Sequence, residues 1–160
     1  MTLDISDFDI NDKPHYNPAY PFNFLSKAEF FADQIENALI KPYGITELVI
    51  ENTQLGHNRH AQRMLEFLHF AVLKKVQGKM PVHYYDPTRW RSILQIKMTK
   101  EQRAHNKDVK AKKAKGKITF KHLSVEWANK NYGLQFLIKD NDQADAVCMG
   151  TAHLVRRKQK

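Results

Sequence analysis

The sequence has a single cysteine, Cys148, so no internal disulfide framework is available, and the paired Cys/His spacing of a zinc site is missing. That usage suits a reducing compartment. No apolar run approaches the ~18 residues that a membrane-crossing helix needs. The opening MTLDISDFDIND is acidic and lacks the basic and apolar regions of a signal peptide. Together these absences lead to the expectation of a soluble, cytoplasmic protein with no membrane partner. The 160 residues, 42% hydrophobic and 11% aromatic, are enough for one compact domain, expected over residues 1 to 160.

Positive charge is in excess and unevenly placed. The net charge is +9, and KMTKEQRAHNKDVKAKKAKGK, residues 97 to 117, sets nine Lys or Arg against Glu101 and Asp108. Without this block the chain is nearly balanced. Such a run has two readings. One is a solvated, flexible segment. The other is a phosphate-contacting surface whose cations displace counterions from a nucleic acid, extended by Arg89 and Arg91 just upstream. On the second reading Lys110, Lys112 and Lys113 are candidate DNA contacts, and Gly116 and the charge make the block a mobile segment that orders only against phosphates.

Periodicity gives alternating elements. Ser26 to Glu29 has the form of a capping box, and Ala28, Phe31, Ile35 and Leu39 follow at helical spacing until Pro42-Tyr43-Gly44. ITELVI, residues 45 to 50, reads as a strand covered on both faces. A second helix fits 57 to 76, with Ala61, Met64, Leu68, Ala71 and Val72 on one side and Phe67, Phe70 and Leu73 turned away as a candidate dimer surface. VHYY, residues 82 to 85, reads as another strand, followed by Asp86-Pro87 as cap and first helical position. After the basic block, Phe120, Leu123 and Trp127 recur at helical spacing up to Gly133. This order implies an α/β sheet with parallel central strands. Trp90 is either a core anchor or a stacking face for a base.

Carboxylates gather at the head of the last helix. DNDQADAVCMGTAHLVRR, residues 140 to 157, places Asp142 and Asp145 on one face of the first turns. Capping and the helix macrodipole account for one or two acidic residues there; a shared metal or catalytic role is the other reading. Ligand sites on parallel sheets lie at the carboxyl ends of the strands, where Glu51 is the first polar residue after LVI. A cluster of carboxylates suits Mg²⁺, which takes oxygen ligands.

LVIEN closing a strand, the Arg- and Gln-rich helix after it, YDPTRWRSIL, the Lys-rich stretch, KHLSVEWANKNYGL and DNDQADA, taken in order, resemble the RuvC-type Holliday junction resolvases, particularly phage-borne members. The resemblance runs from about Leu25 to Arg157. It implies a ribonuclease H-like fold, a mixed sheet with central parallel strands flanked by helices. It also implies a homodimer in a bacterial or phage-infected cell, acting as a metal-dependent endonuclease on four-way or branched DNA. Glu51, Asp142 and Asp145 would be the catalytic metal ligands, holding two Mg²⁺ ions for which Mn²⁺ can substitute, and Lys121 would touch phosphate near the scissile bond. The chain departs from the family at its start. Residues 1 to 23 are atypical: either Asp4 is the family's first catalytic Asp, or the usual first strand is absent. A site without that Asp leaves a catalytically impaired branched-DNA-binding protein as the alternative function.

Overall fold

The computed structural model describes residues 19–52 and 59–159. Asp4, Thr53 and His57, and with them every expectation for residues 1 to 18, lie outside the described residues. The chain divides between His83 and Tyr84 into two compact units.

The first unit is built on two helices. α1 (Phe22–Ile35) starts one turn before the Ser26 capping box, which therefore lies inside the helix. The reason is local. The Pro21 carbonyl accepts from the Phe24 and Leu25 amides, each at 3.1 Å, and Asn23 Oδ1 accepts a second time from Phe24 at 2.8 Å. α1 then widens into a π-helical turn (Glu36–Ile40) before the short α2 (Lys41–Tyr43). Pro42 explains the widening, because its ring would collide with the carbonyl four residues back in a regular helix. Gly44, at φ 58°, ends the run in the left-handed conformation, as the sequence pattern expects.

α3 (Arg59–Val76) lies against α1 through small residues. Ala28 and Ala32 of α1 and Ala71 and Val72 of α3 are buried together, with Leu48, Met64, Phe67 and Leu68 packed around them. Alanines at the contact allow close approach of the two backbones, so this seam is intolerant of added volume. Phe67 is not turned outward as expected: it joins this core and its ring lies 5.9 Å from that of Phe24. Phe70 is the residue left exposed, at 62%.

β1 (Leu48–Glu51) and β2 (Val82–Tyr85) form a two-stranded parallel sheet. Leu48 donates its amide to the Pro81 carbonyl at 3.0 Å as the strands enter register. The protein is thus mixed α/β and mostly helical. Among the described residues the sheet has no further strand, and β1 is half-buried along its length rather than covered on both faces.

The second unit packs α4 (Pro87–Ile93) and α6 (Phe120–Tyr132) against α7 (Asn141–Lys158). Asp86 is extended before Pro87, as a cap position requires. Trp90 is fully buried at 0% exposure, which settles it as a core anchor and removes it as a base-stacking face. Cys148, Ala144 and Ala152 of α7 and Ala128 of α6 share this interior. Gly133, at φ 65°, ends α6.

The basic block is not a structureless linker. α5 (Lys100–Lys110) forms within it, opened by a capping box in which Thr99 Oγ1 accepts from Gln102 N and Gln102 Oε1 accepts from Thr99 N. Its inner side is held by hydrogen bonds rather than by apolar burial. Asn106 donates to the Ile118 carbonyl at 2.8 Å and accepts from the Ile118 amide at 2.9 Å, and His105 Nε2 lies 2.9 Å from the Gly116 carbonyl. Residues 100–110 of this segment are therefore helical, and the turn that follows is tied back to them. No described helix is long and apolar enough to cross a membrane.

Candidate functional site

The acidic head of α7 separates into three roles. Asp140 caps: its Oδ2 accepts from the Leu137 amide at 2.8 Å in a 3₁₀ turn (Ile138–Asp140) that precedes the helix. Asp142 points to solvent, with its side chain 92% exposed and Lys121 Nζ 4.0 Å away. Asp145, one turn further, is mostly buried, and Arg91 of α4 brings Nη2 to 3.7 Å from its Oδ2.

Burial dominates the electrostatics of Asp145. It pushes the carboxyl above the usual carboxylate range, and the charge of Asp142 adds to this, while Ser124, Arg91 and Lys121 oppose it. Ser124 gives its one proton to the Phe120 carbonyl at 3.1 Å, which limits what its hydroxyl offers the carboxylate. Asp145 Oδ1 makes no hydrogen bond among the described residues. Beneath it, burial and then the charge of Asp145 push the Cys148 thiol up to about 12. That thiol stays protonated at neutral pH, pointing at the Ser124 carbonyl 3.6 Å away, and is a packing group rather than a nucleophile.

Asp142 and Asp145 thus share a helical face, as i and i+3 spacing requires, and the charge of Asp142 is felt at Asp145. Their oxygens are engaged by different cations. A pair of Mg²⁺ ions about 4 Å apart needs several carboxylate oxygens converging on one space. One solvated carboxylate and one facing a guanidinium do not make such a cage, so the second unit alone does not fit the two-metal expectation. Glu51 closes β1 in the first unit, half-buried at the strand end. In that unit His83 Nε2 also lies 3.4 Å from Glu47 Oε2, a carboxylate–imidazole pair of the donor types that hold transition metals. The sequence reading did not single this pair out. A strand-borne His and a Glu before the neighbouring strand were the signal, visible only once the two strands are known to be partners.

The basic residues fall into a definite arrangement. Lys100, Arg103, Lys107 and Lys110 are all exposed, and their spacing puts them in one stripe along α5. Glu101 and Asp108 lie to one side of it. Lys112 and Lys113 follow beyond the helix end, Lys112 at φ 60° in the left-handed turn. Arg89 is exposed, with its guanidinium 5.8 Å from the Tyr85 ring, and Arg156 of α7 lies 6.0 Å from the same ring. Tyr85 is itself buried and bonded through its hydroxyl to His153 Nδ1 at 3.1 Å, so its ring is a fixed platform for both arginines. Arg91 differs from the other candidates. It is packed 4.6 Å from the Trp90 ring and 5.0 Å from that of Phe120, and faces Asp145. Lys121 is exposed beside Asp142.

No family model, no curated protein and no solved structure matches this chain.

Proposed function

We propose that this protein binds nucleic acid and that its second unit supplies the phosphate contacts. The α5 stripe carries the proposal. Four cations on one exposed helical face, over about 15 Å at 1.5 Å per residue, meet several phosphates at once. Two features argue against a merely solvated run: the acidic residues are excluded from the stripe, and the opposite side of the helix is pinned by Asn106 and His105. Arg89 and Arg156 at Tyr85 would extend the contact.

A sharper form of this reading is the metal-dependent endonuclease on four-way DNA, working as a homodimer on a ribonuclease H-like sheet. One observation favours it: Asp145 is a mostly buried carboxylate at the head of a helix, with a raised proton affinity and one oxygen that makes no hydrogen bond among the described residues. Engagement of that group by Arg91 is the argument for the plainer form, a branched-DNA-binding protein without cleavage.

Fluorescence anisotropy with labelled single-stranded, duplex and four-way DNA over a salt series tests the general proposal, and denaturing gels of the same mixtures with Mg²⁺ or Mn²⁺ test the sharper one. Salt-dependent binding without strand scission supports the binding protein. Junction cleavage by the wild type, lost in Asp145→Asn while binding remains, supports the nuclease. Absence of salt-dependent binding to all three DNAs ends both.

A further inference from the structure

In the second unit a cavity of about 360 Å³ opens beside α4, and its lining is chemically one-sided. Arg91 and Lys97 contribute two cations, Thr88, Ser92 and Gln95 contribute polar groups, and no carboxylate lines it. The apolar wall includes Phe120, which is 41% exposed. The volume is at the lower end of the range of ligand pockets, about 300–1,000 Å³. That is room for one small planar ligand with an anionic group, and too little for a duplex.

Two further observations point to a ligand. Arg91 Nε is buried and has no hydrogen-bond partner among the described residues, although Nη2 is directed at Asp145. A buried donor without an acceptor is costly, and an arriving anion removes that cost. Gln95 sits at φ 57°, a left-handed conformation that a side-chain-bearing residue rarely adopts, and it does so at the wall of this cavity.

We propose that this pocket takes one unpaired nucleotide, with its phosphate on Arg91 and Lys97 and its base against the exposed face of Phe120. The inference rests on the reading of the protein as a nucleic-acid binder and adds what that reading lacks, a preference for a base free of its complement. Phosphate alone would satisfy the cations. The aromatic wall selects the nucleotide, since every base offers a face to stack and a paired base in a duplex has both faces covered. The α5 stripe tracks backbone, and the pocket reads single-strandedness.

The test uses the full chain and a short fluorescein-labelled oligothymidylate, with a duplex of equal length as comparison. Phe120→Ala weakens oligothymidylate binding by about five- to 150-fold, the range for losing one base–aromatic stack, with an unchanged salt slope and nearly unchanged duplex affinity. Phe120→Tyr retains the binding. Lys97→Ala, at an exposed position, lowers the log–log salt slope on single strands by about 0.7. Gln95→Gly removes the constraint on the backbone, so it keeps or raises stability while weakening the oligonucleotide. Should Phe120→Ala fail to fold by circular dichroism, Lys97→Ala and Gln95→Gly carry the test. If these variants bind oligothymidylate as the wild type does, while alanines on the α5 stripe flatten the salt dependence, the pocket proposal is overturned and the nucleic-acid reading stands. If the wild type binds neither DNA, both are overturned.

Discussion

Arg91 and Asp145 face each other at 3.7 Å across the α4–α7 seam, each with less than a fifth of its side chain exposed, at 18% and 19%. The distance is long for a hydrogen bond, so the attraction is mainly Coulombic. Arg91 is also held by the faces of Trp90 and Phe120. Removing the guanidinium therefore strips the carboxylate of its nearest cation and leaves a gap between two rings. Arg91→Ala is expected to cost about 1–3 kcal/mol in urea unfolding at neutral pH, below the roughly 3–5 kcal/mol for breaking a fully buried pair. Arg91→Lys is expected to fall between, because an ammonium restores the charge without the planar stack.

Asp145 gives a pH signature with a definite sign. Its folded-state pKa is raised, so the folded protein holds the proton more tightly than the unfolded chain, whose value is about 3.9. The contribution of Asp145 to stability is then largest at low pH and is lost as pH rises from about 4 through the raised value. The difference in Tm between wild type and Asp145→Asn is expected to fall across that window and level off above it. A difference that grows with pH would mean that Arg91, not burial, dominates the site.

Reading the helices from sequence works where an apolar stripe and a glycine stop coincide. Gly44 and Gly133 end their helices in left-handed conformations, and α7 begins within one residue of its expected start. α5 escapes that reading because its inner face is Gln102, His105, Asn106 and Val109, with no residue buried, so no apolar stripe marks the helix. Its start was nevertheless written in the sequence as Thr99-x-x-Gln102, a capping box hidden by the charge around it. Ser26-x-x-Glu29 has the same form and caps nothing, because Pro21 and Asn23 nucleate the helix earlier. At the site, i,i+3 spacing correctly puts Asp142 and Asp145 on one face. That Arg91 would meet only the second of them depends on how α4 packs on α7, a tertiary fact with no local signal.

The α1–α3 seam makes a packing prediction. Ala28 is at 0% exposure and Ala32 at 1%, both against Ala71 and Val72. Ala32→Leu adds three carbons where no space exists and is expected to destabilise by about 1–3 kcal/mol. Thermal unfolding followed at 222 nm measures it, and Ala61→Leu, at an exposed position of α3, is the control expected to change little.

Asn106 is the tether of the basic block. Its side chain replaces two backbone hydrogen bonds for Ile118, closing the chain back onto α5. Asn106→Ala leaves the half-buried Ile118 amide and carbonyl without those partners, at a local cost of about 1–3 kcal/mol. Amide exchange at Ile118 is expected to accelerate by about one to two orders of magnitude, with exchange in α7 unchanged. Equal acceleration in both would mean that the tether holds the whole unit rather than the block.

The last prediction separates the helix stripe from the charge run beyond it. Each phosphate neutralised on duplex DNA contributes about 0.9 to the slope of log affinity against log salt. Lys100, Arg103 and Lys107 lie on one exposed face, and alanine is the best helix former, so replacing all three flattens the charge without unfolding α5. This variant is expected to lower the slope by about 2–3 units. Sequence alone assigns the same loss to Lys110, Lys112 and Lys113 if all three make contact. The structure keeps Lys110 on the stripe and sends Lys112 and Lys113 past the helix end, so their triple replacement is expected to lower the slope by about 1. If the two variants lose equally, the block acts as a diffuse cation cloud and the orientation of α5 is irrelevant to binding.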